Sequence, residues 1–169
     1  MPEPTFVHLH VHSPFSFRDG ASPVEDLVAR AAATGMPALA LTDHDDVGAA
    51  VRFARAAKEA GIRPIQGAEV TLEGGYHLTL LTRDPRGYAN LCRLLTRAHL
   101  KNPRGRPRCT WEDLEEFKEG LIALSGCRRG KVPSLILRRK YEEAKRTALR
   151  YRSLWGEYFY LELQETLLP

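Results

Sequence analysis

The chain contains 169 residues, of which 43% are hydrophobic and 27% are charged, with 13 glycines and 11 prolines. This composition is that of an ordinary globular domain, so it argues against a disordered or fibrous protein, and the length leaves little room for a second domain. No apolar run approaches the ~20 residues that span a bilayer, and the first residues lack the basic-then-apolar order of a secretory signal. We therefore expect a cytoplasmic protein with no membrane partner.

Charge is divided unequally along the chain. Residues 1–82 hold 6 Lys/Arg and 10 Asp/Glu, whereas residues 83–169 hold 19 and 11. The cations concentrate in residues 83–108 and 128–152 and are mostly arginine, which suits bidentate contact with phosphate. Two interpretations stay open at this point: ordinary solvated helix faces, or contacts with a nucleic acid. Three cysteines without C-x-x-C spacing argue against a disulfide framework.

Strand-like and helix-like segments alternate along the chain. The predicted strands are residues 5–10, 38–42, 64–70, 76–82, 121–126 and 158–163. The predicted helices are residues 23–34, with Ser22 as N-cap, then 47–60, 88–98, the segment after Thr110, and 141–155. Strands separated by helices predict parallel pairing, and Gly74-Gly75 predicts a hairpin. The fold class is α/β, in which functional residues gather at the carboxyl ends of strands.

Three histidines alternate at the end of the first predicted strand. His8, His10 and His12 would lie on one side of an extended segment. Imidazole is a common ligand for Zn, Mn and Fe, and a pair spaced by two residues can hold one ion. The alternative is a set of hydrogen-bonded core histidines. We favour a metal site.

The second strand leads into a cluster of acids around one histidine. We predict His44 as a metal ligand, Asp43 or Asp45 as the carboxylate that orients a ligating histidine, and Asp46 as a helix cap.

The later strands add further donors. Glu69 stands in a small and apolar segment, where an unpaired buried carboxylate would be costly, so a bound cation explains it best. His77 follows on the next strand, and Cys127 ends the fifth. The Cys127 thiolate is a candidate soft ligand, although a buried thiol alone is more often a small hydrophobic residue.

Several motifs together resemble a known family. They are HLHVHSPFSFRDGA, ALALTDHDDVGA, IQGAEV, HLTLLTRD and LSGC, and they span residues 5–165. They are similar to the N-terminal PHP (polymerase and histidinol phosphatase) domain of the bacterial DNA polymerase III alpha subunit, especially its error-prone branch. The resemblance implies a distorted (β/α)7 barrel related to TIM barrels. Residues 1–169 would form a single PHP domain, truncated before the family's last ligand motif, an Asp-x-His, and therefore C-terminally incomplete.

The resemblance also implies a site. It places two or three divalent ions (Zn, Mn or Fe) on His10, His12, Asp19, His44, Glu69, His77 and Cys127. His10, His12, His44 and Glu69 would be the catalytic core, and His8 takes the position where generic members carry an aspartate. Asp19 is assigned by the resemblance alone.

The implied function is metal-dependent phosphoester hydrolysis, with 3′–5′ exonuclease proofreading, within a polymerase for replication or translesion synthesis. The implied partners are DNA, the remaining polymerase domains and other replisome or mutasome subunits. The alternatives are a non-catalytic scaffold of the polymerase and a free-standing phosphatase for small phosphate esters. Arg18, Arg83 and Lys131 are candidates for phosphate contacts, with ordinary surface cations as the alternative.

Overall fold

The computed structural model describes residues 6–164, which contain six α-helices and five β-strands. The helices are α1 (Val24–Ala33), α2 (Ala50–Glu59), α3 (Pro85–Lys101), α4 (Trp111–Phe117), α5 (Lys131–Leu137) and α6 (Tyr141–Trp155). The strands are β1 (Ala38–Leu41), β2 (Arg63–Thr71), β3 (His77–Thr82), β4 (Leu121–Leu124) and β5 (Phe159–Tyr160).

The strands form one sheet in sequence order, β1-β2-β3-β4-β5. The first part of β2 pairs in parallel with β1, and its second part, from Gly67 onward, pairs antiparallel with β3. A Cβ atom at Gly67 would lie 2.5 Å from the carbonyl oxygen of Leu80, so only glycine allows the close backbone approach where β2 changes partner. This mixed α/β sheet agrees with the predicted class and with part of a distorted barrel.

The prediction that strands separated by helices pair in parallel is wrong for β3 and β4, which are antiparallel with Thr82 opposite Leu121. Two helices, α3 and α4, connect these strands and pack against each other. After α4 the chain re-enters the sheet at the end where β3 finishes, and there the Arg83 amide donates to the Gly120 carbonyl. The hairpin between β2 and β3 is confirmed.

The predicted first strand is also absent from the described residues. Residues 6–12 run beside β1, where the amides of Ala40 and Thr42 donate to the carbonyls of His8 and Val11. The Val11 amide, however, donates to the side chain of Thr42 at 3.0 Å, which replaces the backbone acceptor that a continuous ladder needs. The final strand is shorter than predicted because the Ser125 hydroxyl accepts the Glu162 amide just past β5.

Helix ends show which capping predictions hold. Thr110, the residue before the predicted helix, forms a reciprocal capping box with Asp113 at the start of α4. Ser22 does not cap α1, whose N-cap is Pro23, and Asp46 caps a local turn by accepting the Gly48 amide rather than the start of α2. Helix α5 was not predicted because it has only seven residues and carries Pro133 in its first turn.

Apolar side chains on one face of this sheet pack against the helices. The larger cluster joins β2, β3 and β4 to α3, α4 and α6, and a second joins β1 to α1 and α2. These clusters fix the strands, so that the residues just past the strand ends have defined positions. No helix within residues 6–164 is both long and apolar enough to cross a membrane.

Candidate metal centre

Imidazole and carboxylate groups converge at one edge of the sheet. The carboxyl ends of β1, β2, β4 and β5 meet there with the amino end of β3, because β3 alone runs in the opposite direction. The extended segment 6–12 reaches the same edge beside β1. Sequence-distant residues are thus brought together by the sheet register, and they include the following: His10, His12, Asp19, His44, Glu69, His77, Cys127 and Glu162.

Glu69 is the centre of this cluster. Its carboxylate is almost fully buried, with a side-chain exposure of 1%. Oε2 lies 3.0 Å from Nδ1 of His44, 3.0 Å from Nδ1 of His77 and 3.6 Å from Nε2 of His12. Within residues 6–164, Oε1 has no hydrogen-bond partner, and it lies 3.4 Å from Nε2 of His10. One carboxylate therefore faces four imidazoles.

His10 is oriented from behind by a second carboxylate. Its Nδ1 lies 2.6 Å from Oε1 of Glu162, while its Nε2 lies 3.2 Å from Nε2 of His12. With a proton on Nδ1 donated to Glu162, Nε2 faces Glu69 and would become a lone-pair donor when a cation displaces its proton. This carboxylate–histidine arrangement is common behind metal ligands.

His12 is oriented through a serine rather than directly by an acid. The Ser16 hydroxyl donates its proton to Oδ1 of Asp43 at 2.6 Å. Its lone pairs therefore accept hydrogen bonds from the His44 amide at 3.0 Å and from Nδ1 of His12 at 2.9 Å. Since a serine hydroxyl has one proton, the proton shared with His12 must sit on Nδ1 of the imidazole. Nε2 of His12 is therefore unprotonated and points at Glu69.

The remaining donors flank this centre. Nε2 of His44 lies 2.6 Å from Oδ2 of Asp19, and the Cys127 sulfur lies 3.7 Å from Nδ1 of His77. Asp43 is buried and also accepts the amide and hydroxyl of Ser13, so it fixes the turn that carries His12 and Ser16.

The pKa shifts follow from this crowding. Burial alone raises the pKa of Glu69, but the neighbouring imidazoles of His10, His44 and His77 outweigh it and hold the pKa far below its usual range. Burial lowers the pKa of His10, yet hydrogen bonds to Glu162 and Glu69 raise it to about 9. The pKa of His12 is lowered, first by burial and then by the neighbouring imidazoles. The cluster thus concentrates negative charge at Glu69.

The residues fit a group of divalent cations. Three overlapping sets each place three donor atoms within 4.8 Å of one another: His10, His12 and Glu69; His12, Asp19 and His44; His44, Glu69 and His77. The unpartnered, buried Oε1 of Glu69 is the observation that tests the fit, because a buried carboxylate oxygen without a partner is costly unless a cation meets it. Imidazole and carboxylate ligands suit Zn, Mn and Fe alike.

Some predicted site residues lie elsewhere. His8 is exposed and packs edge-on against Phe6, away from Glu69. The Asp45 carboxylate does not orient an imidazole but accepts the amide and hydroxyl of Thr71. Arg83 lies past the opposite end of β3, over the ring of Tyr158, and Lys131 starts α5 near Tyr76.

Two polar residues at the site were missed by sequence reasoning. Glu162 follows β5 at the same sheet edge, so the rule that functional residues follow strands could have found it. Ser16 gave no such signal, because its role depends on a turn that brings its hydroxyl between His12 and Asp43. Arg18, by contrast, lies in the cleft beside His44 and Asp19.

Comparisons with known proteins agree with this geometry. A family model described as the PHP domain matches residues 8–166. An error-prone DNA polymerase of Symbiobacterium thermophilum is 58% identical over 181 residues, which covers 98% of this chain and 17% of that protein. The DNA polymerase III subunit alpha of Borreliella burgdorferi is 40% identical over 173 residues, which covers 94% of this chain and 15% of that protein. The chain thus spans less than a fifth of the length of these relatives.

One solved structure supports the fold. An amidohydrolase from Chromobacterium violaceum, solved with bound sulfate and no metal, superimposes with a TM-score of 0.55 at 22% sequence identity. The alignment covers 82% of this chain and 74% of that one. The family match over residues 8–166 and the 58% identity together show that this chain belongs to the PHP domain family.

Proposed function

We propose that this domain is a metal-dependent phosphoesterase of a bacterial DNA polymerase and that it removes nucleotides from the 3′ end of a DNA strand. The single observation that carries the proposal is the buried Glu69 carboxylate, which lies close to four imidazoles and whose Oε1 has no partner within residues 6–164. The polymerase context is supported by the names of the relatives at 58% and 40% identity.

Each donor has a defined role in holding the metals. Glu69 would bridge, with His10 and His12 on one side and His44 and His77 on the other, while Asp19 completes a set with His12 and His44. Glu162 holds a proton at Nδ1 of His10, and Ser16 accepts the proton at Nδ1 of His12, so that both Nε2 atoms remain available. Divalent ions bound there would lower the pKa of a water molecule and offset the charge of a phosphodiester.

Of the proposed metal ligands, Cys127 depends most on the loss of its proton. Burial and the negative charge of Glu69 raise the pKa of this thiol to about 12. A thiol ligates a metal as the thiolate, which a neighbouring cation stabilises. Cys127 therefore becomes a ligand only together with the ions that the imidazoles hold.

We infer DNA and the remaining polymerase domains as partners. The excess of cations from residue 83 onward supports a polyanionic partner, since residues 83–169 hold 19 Lys/Arg and 11 Asp/Glu. The small share of the relatives' length that this chain spans supports neighbouring domains as further partners.

The test is Mn²⁺-dependent digestion of a single-stranded oligonucleotide labelled at its 5′ end. We expect progressive shortening from the 3′ end, abolished by His12→Ala or by chelation and retained by the control Asp84→Asn at the opposite end of β3. Bound metal without any digestion would support the scaffold alternative instead. Hydrolysis of small phosphate esters without shortening of the strand would support the free-standing phosphatase.

A further inference from the structure

The candidate metal centre opens into a cleft whose other walls lie outside the donor set. The cleft has a volume of about 480 Å³ and is bordered on one side by Asp19, His44 and His77. The remaining wall carries one phenyl ring and three guanidinium groups from separate parts of the chain: Phe17, Arg18, Arg108 and Arg129. These four side chains have no role in holding the metals.

Phe17 is an exposed aromatic ring on a fixed turn. Its exposed fraction is 90%, although burial of such a ring would stabilise the chain. The turn beneath it is closed by amide hydrogen bonds from Asp19 and Gly20 to the Ser16 carbonyl. Ser16 itself is fully buried and hydrogen-bonded to Asp43. The hydrogen-bonded turn therefore holds the Phe17 ring in solvent beside the donor cluster.

The three arginines have no carboxylate partner in the part of the chain that the structure describes, although the Arg108 guanidinium donates to the Pro107 carbonyl at 2.6 Å. Among residues 6–164, Arg18, Arg108 and Arg129 form no ion pair with a carboxylate. Elsewhere on the surface, arginines do pair with glutamates, as at Arg52, Arg86 and Arg97.

The acids within the cleft are already engaged. Asp19 contacts His44, and Asp45 accepts two hydrogen bonds from Thr71. The arginine charge in the cleft is therefore left for an external anion.

The backbone fixes these arginines at the cleft. Arg18 adopts a φ of 73°, a left-handed conformation that a residue other than glycine adopts only when its surroundings require it. The Arg129 carbonyl accepts the His77 amide at 3.1 Å, which ties this arginine to a member of the donor cluster. The Arg108 carbonyl accepts the side-chain amide of Asn102, which anchors the loop between α3 and α4.

We propose that these four residues, here called the rim, bind a single-stranded polynucleotide in preference to a small phosphate ester. This inference rests on the proposed function. Guanidinium groups contact the phosphates on the 5′ side of the one that reaches the metal centre, because their planar donors match phosphate oxygens. The Phe17 ring stacks on an unpaired base, which a single strand offers and a duplex does not.

The test separates binding by the rim from chemistry at the metal centre. Binding of a fluorescein-labelled dodecathymidylate to the full chain is measured by anisotropy in EDTA, where the metal centre contributes no cation. We expect Phe17→Ala to weaken binding about tenfold. Removing one arginine should make the negative slope of log K against log salt concentration shallower by roughly 0.7. The matched controls are Tyr141→Ala, an exposed aromatic, and Arg55→Ala, an exposed cation, both outside the cleft.

A second readout keeps the two proposals distinguishable. Mn²⁺-dependent hydrolysis of bis-p-nitrophenyl phosphate needs the metal centre but offers no base or flanking phosphate, so Phe17→Ala should leave it within twofold of the parent rate. Oligonucleotide binding that Phe17→Ala leaves unchanged, or that the controls weaken equally, would overturn the rim. If the parent chain hydrolyses no ester but binds the oligonucleotide, and Phe17→Ala weakens that binding, the rim proposal stands and the proposed function is refuted.

Discussion

The carboxylates at the two ends of the central strands β2 and β3 have different hydrogen-bond partners. At the far end, Asp84 accepts the Gly87 amide at 2.8 Å, caps α3 and lies beside Arg83. At the other end, Glu69 meets four imidazoles, and its buried Oε1 has no partner. A carboxylate that backbone amides satisfy stabilises the fold. One that imidazoles surround, with a buried oxygen left unsatisfied, is arranged for a cation.

Asp43 shows that the distinction does not depend on burial alone. It is as deeply buried as Glu69, but its oxygens accept three hydrogen bonds, from the Ser13 amide, the Ser13 hydroxyl and the Ser16 hydroxyl. It therefore needs no cation, and it acts on the metal centre only by fixing the turn beside His12.

Of these variants, Glu69→Gln should lower metal affinity the most. The change removes the charge shared by the overlapping donor sets, so we expect metal affinity to fall by more than about 100-fold. Metal content is measured by mass spectrometry after dialysis against buffered Mn²⁺. Asp84→Asn at the far end should retain the parent stoichiometry, and equal metal content in both variants would contradict the assignment.

Ser16→Ala should have an intermediate effect. It removes the acceptor that holds the proton on Nδ1 of His12, so Nε2 is no longer fixed as a lone-pair donor. We expect metal affinity to fall by about 10- to 100-fold, as for other residues that orient ligands. Titration calorimetry measures it, with Ser153→Ala on the exposed face of α6 as the control. Affinity equal to that of the parent would show that the hydroxyl does not set the tautomer.

Asp84→Ala should affect stability instead. Loss of the α3 cap is expected to cost about 1 kcal/mol of unfolding free energy. For a chain of this size, the melting temperature should fall by roughly 2–4 °C. Thermal melting monitored by circular dichroism checks this, and metal content per folded chain should not change. A loss of bound metal would mean that the two ends are not independent.

His8→Ala should have the smallest effect. The side chain is exposed and lies outside the three donor sets, although it alternates with His10 and His12 in the sequence. We expect metal affinity to stay within about twofold of the parent. A loss comparable to that of Ser16→Ala in the same titration would place His8 at the centre after all.

The sequence predicted the α/β class and the converging donors because both depend on local patterns. Alternating segments set the class, and residues that follow strands in such folds share one edge. The antiparallel pairing of β3 and β4 could not be predicted in this way, because it depends on two helices packing together before the chain re-enters the sheet.

The finer contacts at the site also escaped prediction. Asp43 was expected to orient a histidine directly, but a turn interposes Ser16. His8 follows the same alternation as His10 and His12, yet it faces solvent because the segment forms no continuous ladder with β1. Contacts of this kind depend on single hydrogen bonds, and residue spacing does not determine them.

Whether Glu69 and the imidazoles around it bind divalent ions is tested most directly by a crystal structure of the chain in Mn²⁺, with anomalous data collected near the manganese edge. We expect anomalous peaks on either side of the Glu69 carboxylate, one shared with His10 and His12 and one shared with His44 and His77. A fully loaded crystal with no peak within coordination distance of Glu69 would contradict it.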